Sequence, residues 1–306
     1  MASDNSSSNG SALPSDYETT TWTPPTHRRN ILNQASSLVN GGGLGDPNYS
    51  HGAIPSQNQP SDITTALDLY EKQFYPTQPK SLSGIALRAF LLGITLAFSS
   101  TFSIYLLYIG HSIWRFPFSL ASLCLFHFLE FYTTALTNVP SATVSSFLLA
   151  SNGSAYMIAH LASMTECLLA HLFLPTNILP SSLHSAILGL GLTLIVLGQA
   201  IRALAMLTAG TNFSHFVRRH KSQSHKLVTT GIYAYFRHPS YFGYFWWGIG
   251  TQLVYGNTIC LIAFGVVLWK FFSKRIEGEE ELLVRFFGDE YVAYRKRTWV
   301  GIPLIK

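Results

Sequence analysis

The densest chemistry in this sequence lies between His225 and Tyr241, in the run HKLVTTGIYAYFRHPSY. His225, Tyr233, Arg237, His238, Ser240 and Tyr241 sit close together there, between two strongly apolar segments. Gly231 suits a turn, and Pro239 suits a first helical position. Neither role explains so many hydrogen-bonding side chains at the edge of a membrane-like segment, so the run is a candidate ligand site. A second cluster follows in FFSKRIEGEEELLVRFFG, where Arg275 and Glu279 stand four apart and share a helix face. Glu279, Glu280 and Glu281 repel one another, an arrangement seldom set beside a membrane-proximal arginine on a purely solvated face. Leu282, Leu283, Phe286 and Phe287 give the same helix an apolar stripe that would press it onto its neighbours. Isolated charges inside apolar runs are the third signal. Glu130 and Glu166 are intramembrane carboxylates, which are costly and usually face a bundle interior or a wet cavity. Glu130 also admits a purely structural reading, paired with His127 or a backbone group. Arg202 lies about one turn from a helix end, where snorkelling competes with a cavity-facing role.

The elements that must position these groups are membrane helices. The chain has 306 residues, of which 48% are hydrophobic and only 11% charged, against roughly 25% charged in soluble domains. Between Glu71 and Glu277 the acidic residues are Glu130 and Glu166 alone. An all-α polytopic membrane protein is expected, with about six apolar helices near 85–109, 116–136, 154–174, 183–207, 240–254 and 258–272. The last two form a hairpin around Tyr255-Gly256-Asn257, each arm roughly 22 Å long and short for a full crossing. Lys and Arg cluster before the first span, around 218–237 and after the sixth, which puts both termini on the cytosolic side. The net charge of +5 follows that topology and forms no base-reading module.

Three regions follow. Residues 1–80 read as a disordered cytosolic tail rich in Ser, Asn, Gly and Pro, with a short amphipathic helix near 63–75. Its sequons at Asn5, Asn9 and Asn48 matter only in a lumenal tail. Residues 81–207 supply transmembrane, substrate-binding helices, and 208–306 carry the catalytic and cofactor-binding region with the hairpin. Cys124, Cys167 and Cys260 lie in apolar segments without metal-ligand spacing and read as small buried hydrophobes.

The residues from VTTGIYAYFRHPSYFGYFWWGIGTQ, through R-x-x-x-EEE-L and FFG-x-E-Y, to GIPLI resemble the isoprenylcysteine carboxyl methyltransferase family. The likeness reaches upstream through TAGTNFSH and HFLEFYTTA, covering about residues 82–306. It implies a cytosolic S-adenosylmethionine pocket formed by the loop and the C-terminal helix. The matching positions are His225, Lys226, Leu227, Val228, Tyr233, His238, Pro239, Ser240 and Tyr241, with Glu279 from the helix. Arg275 matches the arginine assigned to the substrate carboxylate, Arg202 resembles a second functional arginine, and Glu130 would line the substrate passage. Arg218 stands where family members carry a glutamine near the cofactor, and an arginine there implies a contact with a cofactor carboxylate. The resemblance also implies endoplasmic reticulum residence and prenylated partners such as Ras- and Rho-type GTPases and lipidated pheromones.

The reaction so implied is methyl esterification of a prenylcysteine carboxylate. That acceptor is already ionised at neutral pH, since α-carboxyl pKa values are about 3.3–3.7. The transfer therefore needs placement more than a strong base, and no metal. An RHP-x-Y element alone also suits phospholipid methyltransferases and NADPH-dependent sterol reductases, and a non-enzymatic membrane scaffold is a further alternative. The acidic run and the GIPLI ending favour the prenylcysteine enzyme.

Overall fold

Long apolar runs interrupted by Gly, Pro and Asn dictate a chain of helices. The computed structural model describes residues 59–174, 180–217 and 225–306, and expectations about residues 1–58, 175–179 and Arg218 lie outside them. The helices are α1 (Gln59–Lys72), α2 (Leu82–Tyr108), α3 (Arg115–Thr137), α4 (Ser154–Phe173), α5 (Ser181–Ala209), α6 (Pro239–Tyr255), α7 (Ile259–Phe287) and α8 (Asp289–Arg297). Among the described residues the one β-type pairing is an isolated bridge between Phe236 and Trp299. Folded structure begins before the boundary expected at residue 81. α1 and its following turns precede α2, and the carbonyl of Pro79 accepts from the backbone N–H of Val144 at 2.7 Å.

Local chemistry sets the helix ends. The Ser81 side chain accepts from the Gly84 N–H at 3.1 Å and starts α2. Pro239 opens α6, and Gly256 closes it in the left-handed region at φ 75°. The N-terminus of α7 is capped from another helix. Glu166 of α4 accepts the N–H groups of Thr258, Ile259 and Cys260 at 2.7, 2.8 and 2.7 Å. A carboxylate there satisfies orphan donors and meets the positive end of the helix dipole. This gives the second intramembrane carboxylate a structural role.

Helices form at all six positions where apolar spans are expected. α2, the stretch Ser112–Thr137 and the stretch Ser181–Asn212 are long and apolar enough to cross a bilayer. α6 has 17 residues, roughly 26 Å at the helical rise. α7 departs from the hairpin expectation in one respect: its apolar arm continues without a break through the acidic run, 29 residues in all. Arg275 and Glu279 therefore ride on the same rod as the membrane arm.

Among the described helices, α5 and α6 make the closest packing. A Cβ on Gly198 would lie 2.6 Å from the Gly243 carbonyl oxygen, and one on Gly243 would lie 2.5 Å from that of Gly198. Gly191 and Gly250 repeat the arrangement further along. In lipid, where no hydrophobic gain drives helices together, such backbone-to-backbone contact supplies dispersion and polar attraction. The pair brings the end of α5, with Arg202, directly against the start of α6. A core of Phe245, Phe272, Ile276, Val300 and Ile302 then ties α6, α7 and the C-terminal segment together.

Candidate active site

A cleft of about 710 Å³, counted to its open mouth, lies where the end of α5, the loop before α6, α7 and α8 meet. Two points on its rim are held in place. Asn138 donates to the Phe213 carbonyl at 2.9 Å, and the Asn212 side chain accepts from the Lys226 N–H at 3.0 Å. The hydroxyl of Tyr294 donates to the Tyr233 carbonyl at 2.7 Å, fastening α8 to the loop; burial pushes the Tyr294 phenol up to about 12.

His225, Lys226, Leu227, Val228, Tyr233, His238, Pro239, Ser240, Tyr241 and Glu279 all line this cleft. Sequence reasoning did not single out Asn212, Ser214, Leu283, Phe287, Tyr291 or Tyr294 as lining residues. Tyr291 carries the clearest ligand signal among these. It is 1% exposed, and its hydroxyl finds no hydrogen-bond partner among the described residues. A buried hydroxyl left unpaired costs about 1–3 kcal/mol, so a ligand bearing polar groups relieves a standing penalty. Its FFG-x-E-Y context was visible in the sequence, but its burial was not.

The acidic run is divided among different duties by the helical turn. Glu279 faces the cleft and accepts from the Tyr241 hydroxyl at 2.6 Å. Glu280 is buried against Arg237, whose Nε donates at 2.5 Å, with the His238 Nε2 at 3.3 Å and Arg295 at 3.4 Å. Burial alone would raise the Glu280 carboxyl, but the bonds from His238 and Arg237 outweigh it and hold it down at about 2. Glu281 is exposed. The mutual repulsion expected from three adjacent carboxylates is thereby distributed rather than suffered.

Arg275 and Glu279 share a face but do not pair directly. The Arg275 Nε donates to the Tyr241 hydroxyl at 2.9 Å, and that hydroxyl donates to Glu279. Arg275 Nη2 donates to the His215 carbonyl at 2.5 Å, and the guanidinium lies 5.3 Å from the Tyr241 ring centroid. Its Nη1 makes no hydrogen bond among the described residues. Arg275 does not itself line the cleft; it stands behind Tyr241, which does, as a fixed cation with one uncommitted nitrogen that could orient a carboxylate.

Arg202 and Glu130 sit differently from what the sequence led one to expect. Glu130 is fully buried and takes a two-pronged contact from Arg202, Nε to Oε1 at 2.5 Å and Nη2 to Oε2 at 2.7 Å. Arg202 Nη1 reaches the Ser240 carbonyl at 3.2 Å and its hydroxyl at 2.8 Å. Glu130 pairs with Arg202 rather than with His127, whose Nδ1 lies 2.8 Å from the Phe147 carbonyl. The Arg202 fork is thus committed across α3, α5 and α6, directly beneath the cleft wall. His215 joins this network, with Nδ1 3.6 Å from Glu130 Oε2 and Nε2 3.3 Å from the Thr134 hydroxyl. Burial pushes the His215 ring down to about 4, with Glu130 opposing and Arg202 and Arg275 adding to the fall, so it is neutral at pH 7.

The C-terminal segment locks the assembly. Arg237 N–H donates to the Trp299 carbonyl and Trp299 N–H to the Tyr235 carbonyl, both at 3.0 Å. The strap of residues 298–305, through Trp299 ahead of the GIPLI motif, therefore fixes the loop bearing Arg237 and His238.

Comparison with known proteins fits this site. Residues 190–285 match the model of the isoprenylcysteine carboxyl methyltransferase family. The protein-S-isoprenylcysteine O-methyltransferase of Saccharomyces cerevisiae is 48% identical over 193 residues, 62% of this chain and 80% of that protein. Its counterpart in Schizosaccharomyces pombe is 44% identical over 238 residues, 74% of this chain and 96% of the relative. The human one is 42% identical over 223 residues, covering 72% and 75%. A solved structure described as the eukaryotic intramembrane Ras methyltransferase superposes with a TM-score of 0.65 at 34% identity, over 81% of this chain and 88% of that one.

Proposed function

The chain belongs to the isoprenylcysteine carboxyl methyltransferase family, and from that premise we propose that it methylates the C-terminal carboxylate of S-prenylated cysteine, with S-adenosylmethionine bound in the cleft. Glu279, Tyr233, His238 and the backbone of 225–228 hold the donor, and the Tyr291 hydroxyl supplies it a further hydrogen bond. When bound, S-adenosylmethionine supplies a sulfonium methyl group whose transfer to a carboxylate cancels two charges, so a water-poor site favours it.

The protein's own groups perform placement. The acceptor carboxylate is ionised at neutral pH, so no side chain must remove a proton. Arg275 presents its free Nη1 edge to one carboxylate oxygen, while Tyr241 and the His215 carbonyl keep the guanidinium plane fixed. Positioning of this kind can contribute several kcal/mol. The neutral His215 adds no competing charge beside the acceptor. Arg202 and Glu130 are positioning residues, anchoring Ser240 and thereby the start of α6. Arg218 is kept as a donor contact on the sequence likeness alone.

The wider reading follows from the helices. Six apolar helices cross or enter the endoplasmic reticulum membrane with both termini cytosolic. Residues 81–207 form the prenyl-binding part and 208–306 the donor-binding part. A prenyl tail partitions into lipid at about 0.8 kcal/mol per buried CH₂ and approaches between helices. The partners are farnesylated or geranylgeranylated proteins of the Ras and Rho type and lipidated pheromones. The observation that carries the proposal is the Arg275–Tyr241–Glu279 chain, which joins the cleft to the membrane arm of α7. Its test is base-labile methyl ester formation from labelled S-adenosylmethionine and N-acetyl-S-farnesylcysteine by the full chain. Transfer to phosphatidylethanolamine instead, or to neither acceptor, refutes the assignment.

A further inference from the structure

A second cleft, of about 1020 Å³ counted to its open mouth, lies on the far side of Arg237 from the donor site. Arg295, Lys306, Trp299 and Ile305 line it, with Thr298 and Gly301 at its base. Arg237 contributes little free charge there, because Glu280 and the Thr298 carbonyl engage it. Arg295 and Lys306 are exposed, Arg295 with one nitrogen 3.4 Å from Glu280 and its other donors uncommitted, and Lys296 and Arg297 stand beside them on the last turn of α8.

The strap that carries this cleft is tied to the apolar helices α6 and α7. The Trp269 indole N–H donates to the Pro303 carbonyl at 2.9 Å, and that of Trp246 donates to the Gly301 carbonyl at 3.2 Å. Trp269 belongs to the apolar stretch ICLIAFGVVLWKFF of α7, so the strap is fastened along the membrane arm itself. Gly301 allows the close approach: a Cβ there would lie 2.5 Å from Phe242. Trp299 and Leu304 nevertheless turn outward, 75% and 90% exposed. The backbone of Trp299 is held by the bridge to the loop, so its indole is displayed on a rigid support.

We propose that this cleft binds an anionic phospholipid, with Arg295 and Lys306 on the headgroup phosphate and Trp299 and Leu304 against the acyl chains. A basic cluster at a membrane edge attracts anionic lipid, and tryptophan favours the headgroup level. A free anion would satisfy the cations but leave the displayed indole and isobutyl groups in water, which selects the lipid. The proposal is independent of the methyl-transfer reading. Through the bridge to Arg237, occupancy would steady the loop that forms the donor site.

The experiment uses the full chain in lipid nanodiscs carrying, at equal mole fraction, either brominated phosphatidylserine or brominated phosphatidylcholine. Quenching of Trp299 is isolated as the difference between wild type and Trp299→Phe. Stronger quenching by the serine lipid is expected, falling about fivefold in apparent affinity for each basic residue lost in Arg295→Gln and Lys306→Gln. Unchanged far-UV circular dichroism and thermal unfolding in detergent show that these variants are folded. The wild-type preference must also weaken as salt rises, a readout that needs no variant. Equal quenching by the two lipids, a preference insensitive to salt, or one unchanged in the double variant overturns the proposal. Displacement by soluble glycerophosphoserine or inorganic phosphate identifies a free-anion site and overturns it equally.

Discussion

Removing one partner of the Glu130–Arg202 pair separates a positioning role from a direct contact with substrate. Both groups are buried, at 0% and 7% exposure, and Glu130 accepts through both oxygens. Glu130→Gln keeps shape and volume but leaves the Arg202 charge unbalanced; breaking a buried pair in this way costs about 3–5 kcal/mol. Arg202→Met costs a similar amount, because Glu130 is then stranded. The double variant Glu130→Gln with Arg202→Met removes both charges, and replacing such pairs by neutral groups is often nearly neutral. Single variants should therefore unfold at clearly lower temperature than wild type in matched detergent, while the double variant recovers most of the loss. Ser240 loses its Arg202 bond in the double variant, so recovered stability should come with weaker S-adenosylmethionine binding, by about tenfold for one charge-assisted bond. Thermal unfolding with and without S-adenosylhomocysteine reads both quantities. Single variants as stable as wild type, or a double variant no better than either, would refute the reasoning.

Three further outcomes are expected. Tyr241→Phe keeps the ring that stacks on His238 but deletes the hydroxyl between Arg275 and Glu279; kcat/KM should fall about 30- to 150-fold, from roughly 2–3 kcal/mol of charge-assisted bonding, with the fold intact by circular dichroism. Glu166→Ala removes the cap on α7 and should lower stability by about 1–2 kcal/mol while the folded fraction keeps its kcat. Glu280 has a carboxyl held below its unfolded value of 4.5, at about 2, so its contribution is present in full above pH 4.5 and is lost as pH falls from there toward 2. Stability measured down that window should decline more in wild type than in Glu280→Gln.

Much of this site was legible because its residues are chemically out of place. A polar, aromatic run between apolar segments and an acidic run beside a membrane arm are conspicuous in one dimension, and both line or adjoin the same cleft. The roles of Arg202 and Glu130 were not legible. Seventy-two positions separate them, and only the glycine-mediated contact of α5 with α6 and the placement of α3 reveal that each satisfies the other. Tyr241 as the link between Arg275 and Glu279 was hidden for a related reason: i,i+4 spacing predicts proximity but cannot show a third side chain entering between the two. The cap by Glu166 and the orphan hydroxyl of Tyr291 likewise depend on which atoms lie nearby in space. The unbroken length of α7 was obscured by its change from apolar to acidic composition, which marks the membrane edge and not a helix end.

The central claim is that Arg275, fixed by Tyr241 and the His215 carbonyl, orients the prenylcysteine carboxylate beside a donor held by Glu279. Its most direct test is the pair of KM values in labelled methyl transfer to N-acetyl-S-farnesylcysteine for wild type, Arg275→Lys and Glu279→Gln. Arg275→Lys should lower kcat/KM for the farnesylcysteine acceptor by about tenfold or more, since a point charge replaces a planar fork, with S-adenosylhomocysteine affinity held within about twofold on the scale of 1.4 kcal/mol per decade. Glu279→Gln should do the reverse, weakening S-adenosylhomocysteine binding and leaving the acceptor KM nearly unchanged. Loss of both substrates together in each variant, or no change in either, would contradict the account.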